Sequence, residues 1–407
     1  MCLISEQGRA GILRICYVTL GYPPAYGLGG PVGNAYHLMQ QLKRRSHSVT
    51  VWCSNLSGKS SKLSDRTSVS VEQGVEVVRF NTHKVTWGKA SFGIYIWPDL
   101  TRYCTRELTS FDVIHLDGYR DYPTLIVSRA ARAASVPYVL QARGTLLPIA
   151  NSIAAKKLYD CLFRNAICKG CPAFIASSHK EAEEYRGFLP AGSYVIAIPN
   201  GIDFEILTPL PDRGAFRRRI GIRESQRLIA YLGRLHAIKG IDVLIEAFAA
   251  SSLRSVAVLA IIGPDEDYKQ TLKALIARHQ LGDCVTFVDA LTGRDKVQAY
   301  VDSDVVVCAS KSESFGMVAV EAAACGTPVI LSNGVGCAGS LADFGCATIV
   351  PYGDMRALAA ELENVCNAVG ADKPRTGLAE LRDRWSWECV GAQYEAVYRA
   401  AAESRSS

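Results

Sequence analysis

Glu313 and Glu321 stand eight residues apart in the run ESFGMVAVEAAACGTPVI, which joins a short polar loop to an apolar helix and then to a buried strand. Ionised carboxylates accept short, charge-assisted hydrogen bonds, so two of them on one rim suit a polyhydroxyl ligand. Between them lie Ser314, Phe315 and Gly316. Their backbone amides fall at a helix start, where unpaired N–H groups and the helix dipole favour a phosphate. A second set lies upstream in YLGRLHAIKGIDVLIEAF, where Gly233, Arg234 and Lys239 occupy one loop. A guanidinium fork and an ammonium point charge so placed suit a diphosphate. Taken alone, two loop cations are equally a solvated surface. Their company with the acidic pair favours the ligand.

These groups need elements that hold them at one end of a sheet. The run DVVVCAS (304–310) reads as a strand, with Glu313 on the loop leaving its carboxyl end and Glu321 about two turns into the following helix. The run 228–232 reads as a second buried strand, 233–240 as its exit loop, and 241 onward as a helix. Both motifs then face the crevice where open α/β sheets bind ligands.

Short apolar runs recur along the whole chain. One series comprises 13–20, 48–54, 75–81, 113–116, 138–141, 174–177 and 194–198; another comprises 228–232, 256–262, 285–288, 305–309, 328–331 and 348–350. Such runs alternating with helical stretches predict parallel sheets, and two series predict two doubly wound α/β domains. Pro199, Pro209 and Pro211 punctuate the junction, which places a linker at 199–212. The serine-rich stretch 54–72 reads as a mobile loop bordering a ligand site.

Four motifs in order, the GRLHAIKG loop, the E-x(7)-E run with SFG inside it, the GTPVI strand and IPNGID at 198–203, resemble the retaining glycosyltransferases of family 4, which have the GT-B fold. The amino-terminal YPPAYGLGGPVGNAYHLMQQLKRRSHSVTVW is similar to that family's glycine-rich loop and first helix. The resemblance implies two Rossmann-like domains facing an interdomain cleft: an acceptor-side domain over 1–198, joined by a helix at 387–403 that crosses back, and a nucleotide-sugar domain over 213–386. It implies that Arg234 and Lys239 hold the donor's diphosphate, that Glu321 accepts from the ribose, and that Glu313 sits by the transferred sugar. Ser314, Phe315, Gly316 and Gly233 complete the donor site, and Gly29 and Gly30 admit the diphosphate to the backbone. The chemistry implied is retaining transfer of a sugar from a UDP- or GDP-sugar to a hydroxyl of a saccharide or lipid-linked saccharide, as in polysaccharide or glycoconjugate biosynthesis, with no metal and no cofactor. A non-catalytic sugar-nucleotide-binding subunit and a GT-B sugar-nucleotide epimerase remain as alternatives.

Three positions depart from the family pattern. Arg143 precedes Gly144 in LQARGTLLPIA where many members carry histidine, Asp289 follows the strand CVTFV where glycine is usual, and RSHSVTV at 45–51 replaces RGHEVTV. Arginine carries only donors, so Arg143 would bind an anion or hydroxyl rather than move a proton. Asp117 and His115 end another predicted strand and join Arg143 as acceptor-side candidates, Asp117 by accepting from a hydroxyl. His115 reads equally as a structural residue.

Composition sets the remaining bounds. With 407 residues, 49% of them hydrophobic, the chain fills two cores. No run reaches the roughly 18 apolar residues of a membrane span, and the first residues lack the pattern of a secretory leader. The expected location is the cytoplasm, with the inner face of the plasma membrane as an option. Most of the 14 cysteines sit in apolar contexts, where a thiol behaves as a small hydrophobe. Cys161, Cys168 and Cys171 lack the second ligand pair that a zinc site needs. Residues 1–200 carry 23 Lys+Arg against 13 Asp+Glu, whereas 201–407 carry 22 against 26. A basic first half fits an anionic surface. Lys156, Lys157, Arg164 and Lys169 punctuate an apolar stretch that reads either as an ordinary helix with a solvated face or as a segment lying on an anionic membrane. Trp87, Tyr95 and Trp97 near basic clusters match no nucleic-acid-binding module.

Overall fold

The computed structural model describes residues 11–58, 61–86, 93–148, 152–368 and 378–404. The first ten residues, Trp87 and the terminal serines lie outside them. The chain divides into two compact units, Met1–Gly201 with Trp387–Ser407, and Ile202–Ser386.

The first unit holds strands β1 (Arg14–Thr19), β2 (Ser48–Ser54), β3 (Ser68–Glu72), β4 (Val75–Phe80), β5 (His83–Thr86), β6 (Gly93–Ile96), β7 (Val113–Asp117), β8 (Tyr138–Gln141), β9 (Ala173–Ala176) and β10 (Val195–Ala197). Among the described residues, its main sheet runs β10-β9-β8-β7-β1-β2-β4-β3, and β5 pairs β6 separately. The strand β1 shows why such runs read as continuously apolar. Ile15 and Tyr17 enter a core on one face, and Cys16 and Val18 enter another on the opposite face. A parallel sheet covered on both sides buries both alternating sets. The last helix, Trp387–Glu403, belongs to this unit and packs Val390, Tyr394 and Tyr398 with Leu38, Met39 and Leu42 of the helix Pro31–Arg44.

Two features differ from the sequence-based expectation. The end of the serine-rich stretch is not a loop but β3, antiparallel to β4 through the pairs Ser68↔Arg79 to Glu72↔Val75. Gln73 (φ 49°) and Gly74 (φ 77°) link them with two left-handed residues, the hairpin turn whose twist matches the strands. Backbone pairing and the Arg79–Glu72 ion pair hold this edge strand, while Val69 and Val71 are exposed. It therefore lacks the buried face that marks the other strands. The hairpin β5–β6 carries no such signal either.

The second unit holds β11 (Arg227–Leu232), β12 (Ala257–Ile262), β13 (Val285–Val288), β14 (Val305–Cys308), β15 (Val329–Ser332) and β16 (Ala347–Val350), in the order β13-β12-β11-β14-β15-β16. All its pairings are parallel. Leu228, Ala230 and Leu232 enter one core, and Ile229 and Tyr231 the other. Buried charge fixes the start of this unit. Asp302 accepts from the amides of Gly214, Phe216 and Arg217, and Asp304 is ion-paired to Arg213 and Arg217. Strand order reverses between β11 and β14, so the chain leaves these two neighbours toward opposite faces and opens a crevice at their carboxyl ends.

Candidate active site

Both loops singled out in the sequence leave strands at this reversal, because β11 and β14 pair directly through Ile229↔Val305 and Ala230↔Val306. Lys239 Nζ donates to Glu313 Oε2 at 2.9 Å, and Ser310 Oγ donates to the same oxygen at 3.1 Å. The two side chains are 17% and 25% exposed, so each is shielded yet reachable. Gly240 makes the approach possible. It sits at φ 65°, and a Cβ there would fall 2.0 Å from the carbonyl oxygen of Ala309. Only glycine lets one loop cross the other at this distance.

Arg234 takes a different partner. Its Nη1 pairs with Glu266 Oε2 at 2.5 Å on the loop after β12, and the side chain is 53% exposed. Between the two ion pairs stands Tyr231, whose hydroxyl donates to Arg234 O at 2.9 Å. Burial pushes that phenol up, and the neighbouring Cys308 and Glu313 push it further. It stays a neutral donor. Gly233 offers no free amide, because its N–H donates to Ile262 O at 2.9 Å. Its small size instead leaves room for the Tyr231 hydroxyl, 2.9 Å from where a Cβ would sit.

Glu313 is held by its backbone to Gly334 and Gly336, which draws the loop toward the one after β15. Gly316 at φ 107° ends the loop and precedes the helix Met317–Ala324, with no side chain capping the helix start. The first amides of a helix have no partner within it. The Phe315 ring is buried in the core against Trp385, so only its main chain is available to a ligand, and Ser314 beside it is half-buried. Glu321 lies just over one turn into this helix rather than two, because the left-handed Gly316 delays the start. Its carboxylate accepts from Lys296 Nζ at 2.9 Å and from Tyr300 Oη at 2.7 Å. Burial first, and then Glu321 itself, push the Tyr300 phenol well up, so it remains the donor. Lys296 and Tyr300 are four residues apart on the helix Gly293–Asp302, hence on one face. Sequence reading missed them, and Ser310 and Glu266 too. The i,i+4 spacing was visible, but nothing in it named Glu321 as the target.

In the first unit, Gly29 (φ 100°) and Gly30 immediately precede the helix Pro31–Arg44, which lacks a side-chain cap. A Cβ at Gly30 would meet nothing within 4 Å. Internal packing therefore gives no reason for glycine at position 30. The acceptor-side candidates form a buried network instead of an open rim. Arg143, at φ 46°, donates from Nε to Asp117, from Nη1 to Asn200 Oδ1 at 2.9 Å and from Nη2 to the Tyr17 hydroxyl at 3.1 Å. Thr19 Oγ1 takes the other Asp117 oxygen at 3.1 Å. Asp117 is thus occupied internally rather than left to accept from a ligand, and its side chain is 1% exposed against 10% for Arg143. Glu181 fastens the same turn by accepting from the amides of Gly144 and Ser177.

His115 is a correction. It is fully buried in mid-strand, stacked on Tyr17 with ring centroids 4.5 Å apart, and its Nδ1 is 2.8 Å from the Tyr398 hydroxyl. Burial, then the Arg143 charge, pull its pKa well below the usual value. It is a neutral core residue, because a side chain in the middle of a strand covered on both faces has no route to solvent.

Among the described residues, no group of three or more His, Cys, Asp or Glu is placed to hold a metal ion. Cys161 is exposed, Cys168 buried and Cys171 half-buried, and the described cysteines are free thiols. No helix among the described residues is long and apolar enough to cross a membrane.

Two family models match the chain, a glycosyl transferase 4-like domain over residues 29–201 and glycosyl transferases group 1 over residues 212–376. A D-inositol 3-phosphate glycosyltransferase of Stackebrandtia nassauensis is 28% identical over 322 residues, 73% of this chain and 71% of that one. Sucrose-phosphate synthase of Thermosynechococcus elongatus superposes with a TM-score of 0.74 at 19% identity, covering 95% of this chain and 98% of that one. The Anabaena protein HepE, solved with UDP, gives a TM-score of 0.73 at 20% identity, covering 95% and 100%. At such identities the structural likeness shows the fold, and the family models, between them spanning both units, show the kinship. The chain belongs to the glycosyltransferases of family 4 and has their GT-B fold of two Rossmann-like units.

Proposed function

We propose that the protein is a retaining, metal-independent glycosyltransferase that moves a sugar from a UDP- or GDP-sugar to a hydroxyl of a saccharide or lipid-linked saccharide. The observation that carries this reading is the Lys239–Glu313 pair at the strand-order reversal. An ammonium fixed there neutralises charge that develops on a departing diphosphate. Electrostatic stabilisation of a leaving group is the larger part of such catalysis when no metal does it. When the donor's phosphate takes over Lys239, Glu313 is released to accept from sugar hydroxyls. Arg234 exchanges its exposed Glu266 contact for phosphate in the same way, and Glu321, already oriented by Lys296 and Tyr300, accepts from the ribose. At Gly30, where packing gives no reason for glycine, the bare backbone at the helix start leaves room for an anionic group. The UDP complex of HepE supports a uridine donor. Arg143, with guanidinium N–H groups beyond the three already engaged, orients the acceptor through hydrogen bonds.

The test is a panel of nucleotide sugars, read by thermal stabilisation and by slow release of nucleoside diphosphate, with and without chelator. One donor that stabilises the protein and is hydrolysed in chelator is the expected result. Loss of all hydrolysis on chelation would refute metal independence, and absence of binding to every donor would refute the site. The anomeric configuration of the product, read by NMR, tests retention.

A further inference from the structure

The helix Ile153–Cys168 buries only Ile167 and Cys168, both at its carboxyl end. Its inner side leans Tyr159 and Phe163 against the core that holds Tyr119 and Leu140, and Asp160 is paired to Arg120. At 100° per residue, Ala154, Ala155, Leu158, Cys161 and Leu162 fall in one stripe on the opposite side. All five are exposed, Leu158 and Leu162 by 61% each. Ile153, 46% exposed, adds to the apolar surface at the amino end. Single exposed leucines are ordinary, but an apolar stripe that runs from Ala154 to Leu162, where exposed Asn165 ends it, is a contact surface.

Charge names the partner. Exposed Lys157 and Arg164 run along one flank of the stripe, and exposed Lys169 follows its end. Asp160, the one acid of this helix, lies on the inner side under Arg120. A basic flank beside an apolar stripe matches the depth profile of an anionic bilayer, acyl boundary below and phosphates above. A second copy of the chain fits worse. Joined antiparallel through the same face, two copies would bring their own basic flanks together with no acid on the stripe to offset them, and joined parallel each basic flank would lie beside the other copy's flank that carries no acid of this helix.

We infer that this stripe is the surface by which the protein docks on an anionic lipid bilayer, the helix lying in the membrane plane with Leu158 and Leu162 at the acyl boundary and Lys157, Arg164 and Lys169 at headgroup phosphates. The inference stands on this helix alone and not on the donor site. The full chain is sedimented with vesicles of phosphatidylcholine, with or without phosphatidylglycerol, beside the variants Leu158→Gln/Leu162→Gln and Lys157→Glu. The wild-type chain is expected to bind the anionic vesicles and to be released by salt. The double leucine variant should bind about tenfold or more weakly, and Lys157→Glu about fivefold or more weakly. Melting temperature and donor hydrolysis should be unchanged, since these side chains touch neither the core nor the donor site. The inference is overturned if the wild-type chain ignores anionic vesicles, if the variants bind as wild type does, or if neutral vesicles bind equally well. It is also overturned if the leucine substitutions dissolve a dimer instead.

Discussion

Replacing Lys239 with alanine separates a structural ion pair from a contact made in the transition state. In the unliganded chain the ammonium lies 2.9 Å from Glu313, and both side chains are mostly shielded. At an effective dielectric constant of about 20, the gross attraction is about 6 kcal/mol. Desolvation of both ions cancels most of it. Removing Lys239 also leaves Glu313 its Ser310 hydroxyl at 3.1 Å and access to water, so the cost in stability is about 1 kcal/mol. For a unit of this size that lowers the melting temperature by about 2–4 °C. Turnover responds on another scale. Loss of one preorganised donor to developing negative charge costs about 10²–10³ in kcat. The assay is release of nucleoside diphosphate at saturating donor, beside a thermal melt of the same sample. Glu313→Gln and the double variant complete the cycle. If Lys239 served only to hold Glu313, both single variants and the double would lose the same activity. If each meets the donor, the double loses more than either. A Lys239→Ala protein that melts normally and turns over within about twofold of wild type would refute the mechanism.

Tyr300→Phe removes the 2.7 Å bond to Glu321 while Lys296 remains, so KM for the donor should rise about three- to tenfold with kcat little changed. An equal loss in kcat would mean that Glu321 acts in the chemistry. Asp304→Asn leaves Arg213 and Arg217 facing a neutral amide in a buried site and should cost the second unit about 3–5 kcal/mol, seen by denaturant unfolding. Burial opposes ionisation of Asp304, but the Leu228 amide and the two arginines prevail and hold its pKa below the usual 3.8. Its stabilisation is therefore complete above pH 3.8 and lost as pH falls through the lowered value, a loss that the Asn variant should not show. His115 works in a higher window. Its pKa is depressed in the fold, so below the usual 6.5 the unfolded chain binds a proton that the native one refuses. The stability of the first unit should fall by about 1.4 kcal/mol per pH unit below that point. His47, also lowered by burial, adds to the slope, and His115→Gln should reduce it.

Strands such as β1, β2 and β11 were legible because a sheet covered on both faces demands unbroken apolar runs, and nothing else produces them so regularly. β3 was not, since its valines face solvent and only backbone pairing and the Arg79–Glu72 ion pair hold it. The turn that makes it, Gln73-Gly74, was present in the sequence but lay beside a serine-rich stretch that read as loop. In the site, residue types and loop positions were legible for Lys239 and Glu313, because charge on a loop after a buried strand has few places to go, and Glu321 was legible as a charge in the helix that follows.

Sequence alone therefore determined the two α/β series, the family and the list of charged groups at strand ends. These are local properties, written in period, punctuation and spacing. Tertiary structure decided which charges meet. It set Lys239 on Glu313 by pairing β11 with β14, gave Arg234 to Glu266, and aimed Lys296 and Tyr300 at Glu321. It also closed Asp117, Arg143, Asn200 and Tyr17 into one network and enclosed His115 behind it. Strand order and crossover, not spacing along the chain, fix such contacts, and only folding brings residues dozens of positions apart within hydrogen-bond reach.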